Sequence, residues 1–66
     1  MPRYPDIHVC IHSRNPLAMV SAVRSALRVA DVDADEIRQF SEQALAEHEP
    51  SRIHDVCSQW TAVEVL

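Results

Sequence analysis

Near the start of the chain stands Ile7-His8-Val9-Cys10-Ile11-His12, in which aliphatic residues alternate with side chains that can bind a metal. A period of two is typical of a half-buried β-strand, because successive side chains of a strand point to opposite faces. Residues 6–13 are therefore predicted to form a strand with its aliphatic residues inward. The opposite face then carries His8, Cys10 and His12.

Length and composition limit what this strand can belong to. The chain has 66 residues, of which 47% are hydrophobic and 24% are charged. These values predict one small folded domain over residues 1–66, which buries only about 60% of its unfolded surface. Domains of this size often gain stability from a metal ion or a partner subunit. Glycine is absent, which argues against phosphate loops and dinucleotide-binding turns, so no cofactor is expected.

The cysteine count and the hydropathy pattern bear on location. Two cysteines, Cys10 and Cys57, are too few for a disulfide scaffold. No N-terminal signal pattern and no apolar run of membrane length is visible. We therefore expect a cytoplasmic protein with both thiols reduced and with no membrane partner.

Charge is divided unevenly along the chain. Residues 1–30 carry four arginines against one aspartate, a net of +3, whereas residues 31–66 carry nine acids against two arginines, a net of −7. Lysine is missing, so every positive group is a guanidinium fork suited to carboxylates. The division predicts either an arginine-faced first helix lying on an acidic second helix, within one chain or across a dimer, or plain surface charge.

Capping patterns mark where two helices begin. Asn15 and Pro16 predict the start of a first helix that runs to about Ala30. Asp33 and Glu36 match a capping box that opens a second helix, with Val32 and Ile37 in staple positions. The first helix is expected to have a narrow polar arc. Its wide apolar face is expected to contain Met19, Val20, Ala22, Val23, Ala26, Leu27 and Ala30. The inward stripe expected for the second helix is Ile37, Phe40, Ala44 and Leu45.

Pro50 separates the second helix from a third. The third helix begins either at Ser51 or with Glu49 as cap and Pro50 in the first turn, and its stripe is Ile53, Val56, Cys57 and Trp60. Residues 61–66 are rich in β-branched side chains and alternate, which favours a short strand over more helix. The predicted fold is α+β: an N-terminal strand, a three-helix core and a short C-terminal strand that pairs with the first strand or across a dimer.

The histidines and cysteines suggest one candidate metal site. Same-face strand positions lie about 6.5–7 Å apart, too far for His8, Cys10 and His12 to share one tetrahedral zinc ion unaided. Two of them with His54 and Cys57, one turn apart on the third helix, would complete a Cys/His set. CxxC-type knuckles are absent, and the competing interpretation is solvated histidines with cysteines as small hydrophobic residues. Zinc binding is therefore kept as an alternative, and no metal ligand is assigned.

Catalysis and nucleic-acid binding have weaker support. Cys10 lies mid-strand and Cys57 mid-helix, without the neighbouring base or helix N-terminus that activates a thiol, so no enzyme is predicted. The second and third helices resemble a helix-turn-helix with Arg52, His54, Ser58 and Gln59 outward. The acidic charge of that half opposes phosphate binding, which leaves Arg14, Arg24 and Arg28 as the only contacts for a nucleic-acid alternative.

Protein interaction remains the preferred function. Two short strands would leave open sheet edges, and an open edge is a template for a second copy of the chain. The acidic face bearing Asp35, Glu42 and Glu47 could also dock on a basic protein. Trp60 and Phe40 are assigned to the core, and Tyr4, between two prolines, is the aromatic residue expected at an interface.

A resemblance rests on residues 15–65. It is carried by Asn15-Pro16-Leu17-Ala18-Met19-Val20, by Val23-Arg24-Ser25-Ala26-Leu27-Arg28, by Asp35-Glu36-Ile37 with Phe40 and Ala44-Leu45, and by Trp60 followed by Val63-Glu64-Val65. This capping pattern and Trp–Val ending resemble short uncharacterised bacterial and mobile-element proteins. The resemblance implies a standalone domain and no particular activity. The sequence thus predicts a homodimeric, non-enzymatic interaction or regulatory module.

Overall fold

The alternating segment is a strand, and it pairs with the end of the chain. The computed structural model describes residues 2–13 and 15–66. Within them the chain forms β1 (Tyr4–Ile11), α1 (Pro16–Val29), α2 (Ala34–Leu45), α3 (Pro50–Trp60) and β2 (Thr61–Val65). The two strands make a two-stranded sheet. The predicted α+β fold, with the last strand pairing with the first, is confirmed.

The sheet is parallel, and the three helices between its strands form the crossover connection that a parallel pair requires. Val9 lies beside Val63 and Ile11 beside Val65 in the register. The register shifts between Tyr4 and His8, so the first half of β1 bulges away from regular pairing. Beyond the sheet, the N–H of Leu66 donates to the carbonyl oxygen of Ile11 at 2.8 Å.

The first helix begins and ends as its sequence directs. Asn15 Oδ1 accepts the N–H of Leu17 at 3.0 Å, and Pro16 occupies the first turn, as predicted. At the other end Asp31 has φ 64°, the left-handed conformation that glycine usually supplies. The N–H of Asp31 donates to the oxygen of Arg28 and that of Val32 to the oxygen of Leu27. This pair of bonds is a Schellman motif built with aspartate, in a chain that has no glycine.

The predicted capping box of α2 is only half formed. Asp33 caps the helix by accepting the N–H of Asp35 at 2.8 Å. Glu36 instead accepts a hydrogen bond from the hydroxyl of Tyr4 at 3.0 Å. Within residues 2–13 and 15–66, the backbone N–H of Asp33 does not donate to Glu36, as a complete capping box requires. The glutamate contributes to a contact between β1 and α2, which no local pattern encodes.

The core lies between the helices and the inner face of the sheet. It contains Val9, Ile11, Met19, Val20, Val23, Leu27, Phe40, Ala44, Ile53, Cys57 and Trp60. The inward placement of the β1 aliphatic residues and the assignment of Phe40 and Trp60 to the core are confirmed. The third helix uses the second predicted start, with Glu49 before Pro50.

Three sequence-based boundaries or placements are wrong. The first strand begins at Tyr4 and ends at Ile11, earlier than the predicted residues 6–13. Leu45 is 56% exposed although the stripe placed it inward, because Ala44 takes the buried position at the last turn of α2. Ala30 lies outside the apolar face, since it caps α1 and is exposed. No helix among the described residues combines the length and the apolar character needed to cross a membrane.

Candidate functional site

The outer face of the sheet carries His8 and Cys10, and His12 follows directly after the end of β1. His8, Cys10 and His12 are all exposed, as is Glu64 of β2. Cys10 lies beside Glu64 in the register, and its Sγ is 3.8 Å from Glu64 Oε2. The face is therefore polar and open to solvent.

Both long edges of this two-stranded sheet are without a neighbouring strand among the described residues. In a parallel pair, residues that carry the ladder bonds alternate with residues whose N–H and C=O groups point to the other edge. The Leu66–Ile11 bond and the register show that Val9 and Ile11 are the β1 residues whose N–H and C=O groups bond to β2. Val63 and Val65 lie beside these two residues in the register. Their own N–H and C=O groups therefore point away from β1, to the open edge of β2.

The two edges differ in how well they resist another strand. The β1 edge contains Pro5 and Asp6 and the register shift before His8, and a proline, a charge and a bulge each discourage further pairing. The β2 strand contains no proline and no register shift, and its one charged residue, Glu64, lies on the outer face beside Cys10. It ends in apolar side chains that solvent reaches, with Val65 43% and Leu66 68% exposed. The β2 edge is thus the better template for strand addition.

The predicted metal-binding partners are not brought together. Cys57 is fully buried in the core, on the opposite side of the sheet from Cys10. Burial raises the pKa of the Cys57 thiol to about 11, so it is protonated at neutral pH and a poor nucleophile or metal ligand. Across residues 2–13 and 15–66, no three histidine, cysteine or acidic side chains are grouped so as to hold a metal ion.

Tyr4, expected at an interface, takes part in an internal cluster that the sequence did not reveal. Its hydroxyl donates to Glu36 Oε1, which also accepts Arg3 at 2.8 Å. The guanidinium of Arg3 lies 4.8 Å from the centroid of the Trp60 ring. This aromatic and ionic cluster fastens the beginning of β1 to α2 and α3. Desolvation, and then the hydrogen bond to Glu36, raise the pKa of Tyr4.

The arginines of α1 do not lie against acidic side chains of α2. Arg24 and Arg28 form no salt bridge with any residue of the described part of the chain. They line a cleft between α1 and α2 together with Arg38, and we call this the arginine cleft. The predicted pairing of the two helices by charge within one chain is therefore wrong. Arg14, another predicted contact, lies outside the described residues.

The remaining predicted faces are partly exposed. Arg52 and Gln59 are exposed on α3, whereas His54 and Ser58 are half-buried. Arg52 also lies 3.8 Å from Glu49, which reduces the positive charge available to a nucleic acid. On the acidic face, Asp35 and Glu42 are exposed and Glu47 is half-buried.

Comparison of the chain with protein-family models, with curated protein sequences and with solved structures gives no match. The resemblance carried by residues 15–65 stays a prediction. The geometry of the domain itself is what supports a function.

Proposed function

We propose that this domain is a non-enzymatic interaction module that self-associates by pairing its β2 strand with β2 of a second copy. The open edge of β2, which no proline and no bulge interrupts, is the observation that carries the proposal. Strand addition would join the two sheets into one of four strands, in the order β1-β2-β2-β1. An edge that natural proteins normally cover or interrupt would then be covered.

A two-fold, antiparallel arrangement fits the residues of β2. With Val63 opposite Val63 of the partner subunit, the open-edge backbone groups of the two valines bond to each other. On the outer face Ala62 then lies opposite Glu64 of the partner subunit. This register keeps the two glutamates from facing each other, which would be unfavourable.

Sedimentation velocity and equilibrium test self-association. The range of about 10 µM to 1 mM is chosen because an interface between two five-residue strands is small and is expected to be weak. Val65→Pro removes an open-edge N–H without removing a bond to β1, and it is expected to shift the protein towards monomer. Val65→Thr retains the N–H and strand propensity and serves as its control. Circular dichroism on both variants verifies that the helices are intact.

A charge pair tests the register. Ala62→Glu would place two glutamates opposite each other and weaken the dimer, whereas Ala62→Lys would meet Glu64 of the partner subunit and strengthen it. A wild-type monomer throughout the concentration range overturns the proposal. A dimer unchanged by Val65→Pro and by both Ala62 variants overturns the assignment to β2.

The module is proposed to act in the cytoplasm, alone or with another protein. Cys10 and Cys57 are both free, and Cys57 is buried away from Cys10. Unpaired cysteines suit a reducing compartment. The Cys57 thiol is buried and its pKa is raised to about 11, which makes it a poor nucleophile and favours an interaction role over thiol catalysis.

A further inference from the structure

The arginine cleft gathers half of the arginines of the chain at one place. Arg24 and Arg28 stand one turn apart on α1, and Arg38 faces them from α2. Ala34, Ile37 and Ser41 complete the lining, and the cleft has a volume of about 310 Å³. Pockets that hold small ligands begin at about this size, roughly 300 Å³.

The positive charge of the cleft is not neutralised within the described residues. Arg24 and Arg28 have no ion-pair partner there, and the closest approach of Arg38 to Asp35 is 3.9 Å between side chains that are 71% and 85% exposed. A pair so exposed contributes little. Arg28 lies in the last turn of α1, where the helix dipole favours a cation. That effect does not account for Arg24 or Arg38, in a chain of net charge −4.

The donors in the cleft define the class of ligand. The Ser41 hydroxyl donates to the carbonyl oxygen of Ile37 at 3.0 Å, so the free donors are the guanidinium groups. Guanidinium forks match phosphate and carboxylate oxygens in bidentate fashion. Three guanidinium groups match a phosphate dianion better than they match a carboxylate, which carries a single negative charge. Ile37 and Ala34 add apolar surface beside the charges.

We infer that the arginine cleft binds a small phosphomonoester, with the phosphate held by Arg24, Arg28 and Arg38 and an apolar body lying on Ile37 and Ala34. This site is independent of the β2 edge. It lies between two helices, and its ligand would be recognised whether or not the domain self-associates.

NMR titration tests the site directly, by following the arginine Nε–Hε signals and the backbone amides of α1 and α2. The probes are phenyl phosphate, inorganic phosphate and benzoate at equal ionic strength. Phenyl phosphate is expected to bind most tightly, because it alone combines the dianion with an apolar body. The shifts should be confined to residues around the cleft.

Matched variants separate the cleft from surface charge in general. Arg24→Gln and Arg38→Gln are each expected to weaken phenyl phosphate binding about tenfold, the loss of one charge-assisted contact. Arg28→Lys retains the charge but not the fork and should also weaken binding. Arg52→Gln removes an arginine on α3 outside the cleft and should change nothing.

Three outcomes overturn the inference. The first is that none of the probes gives a saturable shift at the cleft. The second is that Arg24→Gln and Arg52→Gln weaken phenyl phosphate binding equally, which would mean that the anion is attracted by the surface charge in general. The third comes from a mixed-sequence oligonucleotide: if it binds the cleft far more tightly than phenyl phosphate at equal phosphate concentration, the ligand is a nucleic acid.

Discussion

The ring of Tyr4 is stacked on the indole of Trp60, with centroids 6.2 Å apart and planes inclined by 25°. The contact joins the first residue of β1 to the last residue of α3. Phe40 of α2 packs edge-on against the same indole at 5.8 Å, and Trp60 Nε1 donates to Gln43 Oε1 at 3.0 Å. Trp60 therefore links β1, α2 and α3.

Truncation of Tyr4 should separate stacking from hydrogen bonding. Tyr4→Phe keeps the ring and loses the bond to Glu36, and it is expected to lower the free energy of unfolding by about 1 kcal/mol. Tyr4→Ala also loses the aromatic contact and should cost about 2–3 kcal/mol. Urea unfolding followed by the fluorescence of Trp60, the single tryptophan, measures both. Equal stability of the two variants would contradict the stacking role.

Two leucines provide a test of the core boundary. Leu27 is fully buried and Leu45 is 56% exposed. Leu27→Ala is expected to lower the free energy of unfolding by about 2–5 kcal/mol, and Leu45→Ala by no more than about 0.5 kcal/mol. The chemical change is the same, so each variant controls the other in thermal or urea unfolding. A large effect at Leu45 would show that α2 packs further along its length.

The left-handed Asp31 offers a stabilising substitution. Asp31→Gly relieves the steric cost of φ 64° and is expected to raise the free energy of unfolding by about 0.5–1 kcal/mol, despite the added freedom of the unfolded chain. Ala30→Gly is the control, because Ala30 has φ −79° and glycine there only adds that freedom. Ala30→Gly should therefore destabilise the domain. Thermal unfolding at one pH distinguishes the opposite signs.

The buried thiol makes stability fall at alkaline pH. The pKa of Cys57 rises from 9.0 to about 11 on burial. As pH rises between these values, the unfolded chain releases the proton and the folded chain retains it, so the unfolded state gains stability. The expected loss is roughly 2 kcal/mol by pH 11. It disappears as the pH falls to about 8, where the thiol is protonated in both states.

Cys57→Ala is the control for the pH effect, measured as the change in free energy of unfolding between pH 8 and pH 11. The variant should give a flatter curve. Some slope should remain, because the raised pKa of Tyr4 acts in the same direction above pH 10. Identical curves for wild type and variant would mean that Cys57 is solvated in the folded domain.

Local patterns predicted the elements of this fold well. Alternation found β1, Asn15 and Asp33 marked the helix starts, and the stripe of α3 placed Cys57 and Trp60 inward. Such signals lie within a few residues of what they specify. The arginine cleft was not predicted, because Arg38 joins the arginines of α1 only through the way α2 docks on α1.

Glu36 shows the same limit at one residue, since a local pattern assigned it to a cap and the fold assigns it to Tyr4 and Arg3. A double-mutant cycle with Tyr4→Phe and Glu36→Ala distinguishes the two roles. A direct bond predicts a coupling energy of about 1 kcal/mol in urea unfolding. A capping role predicts that the two losses add, with no coupling. The control cycle pairs Tyr4→Phe with Glu42→Ala, an exposed acid on the same helix, and should show additivity whichever role Glu36 has.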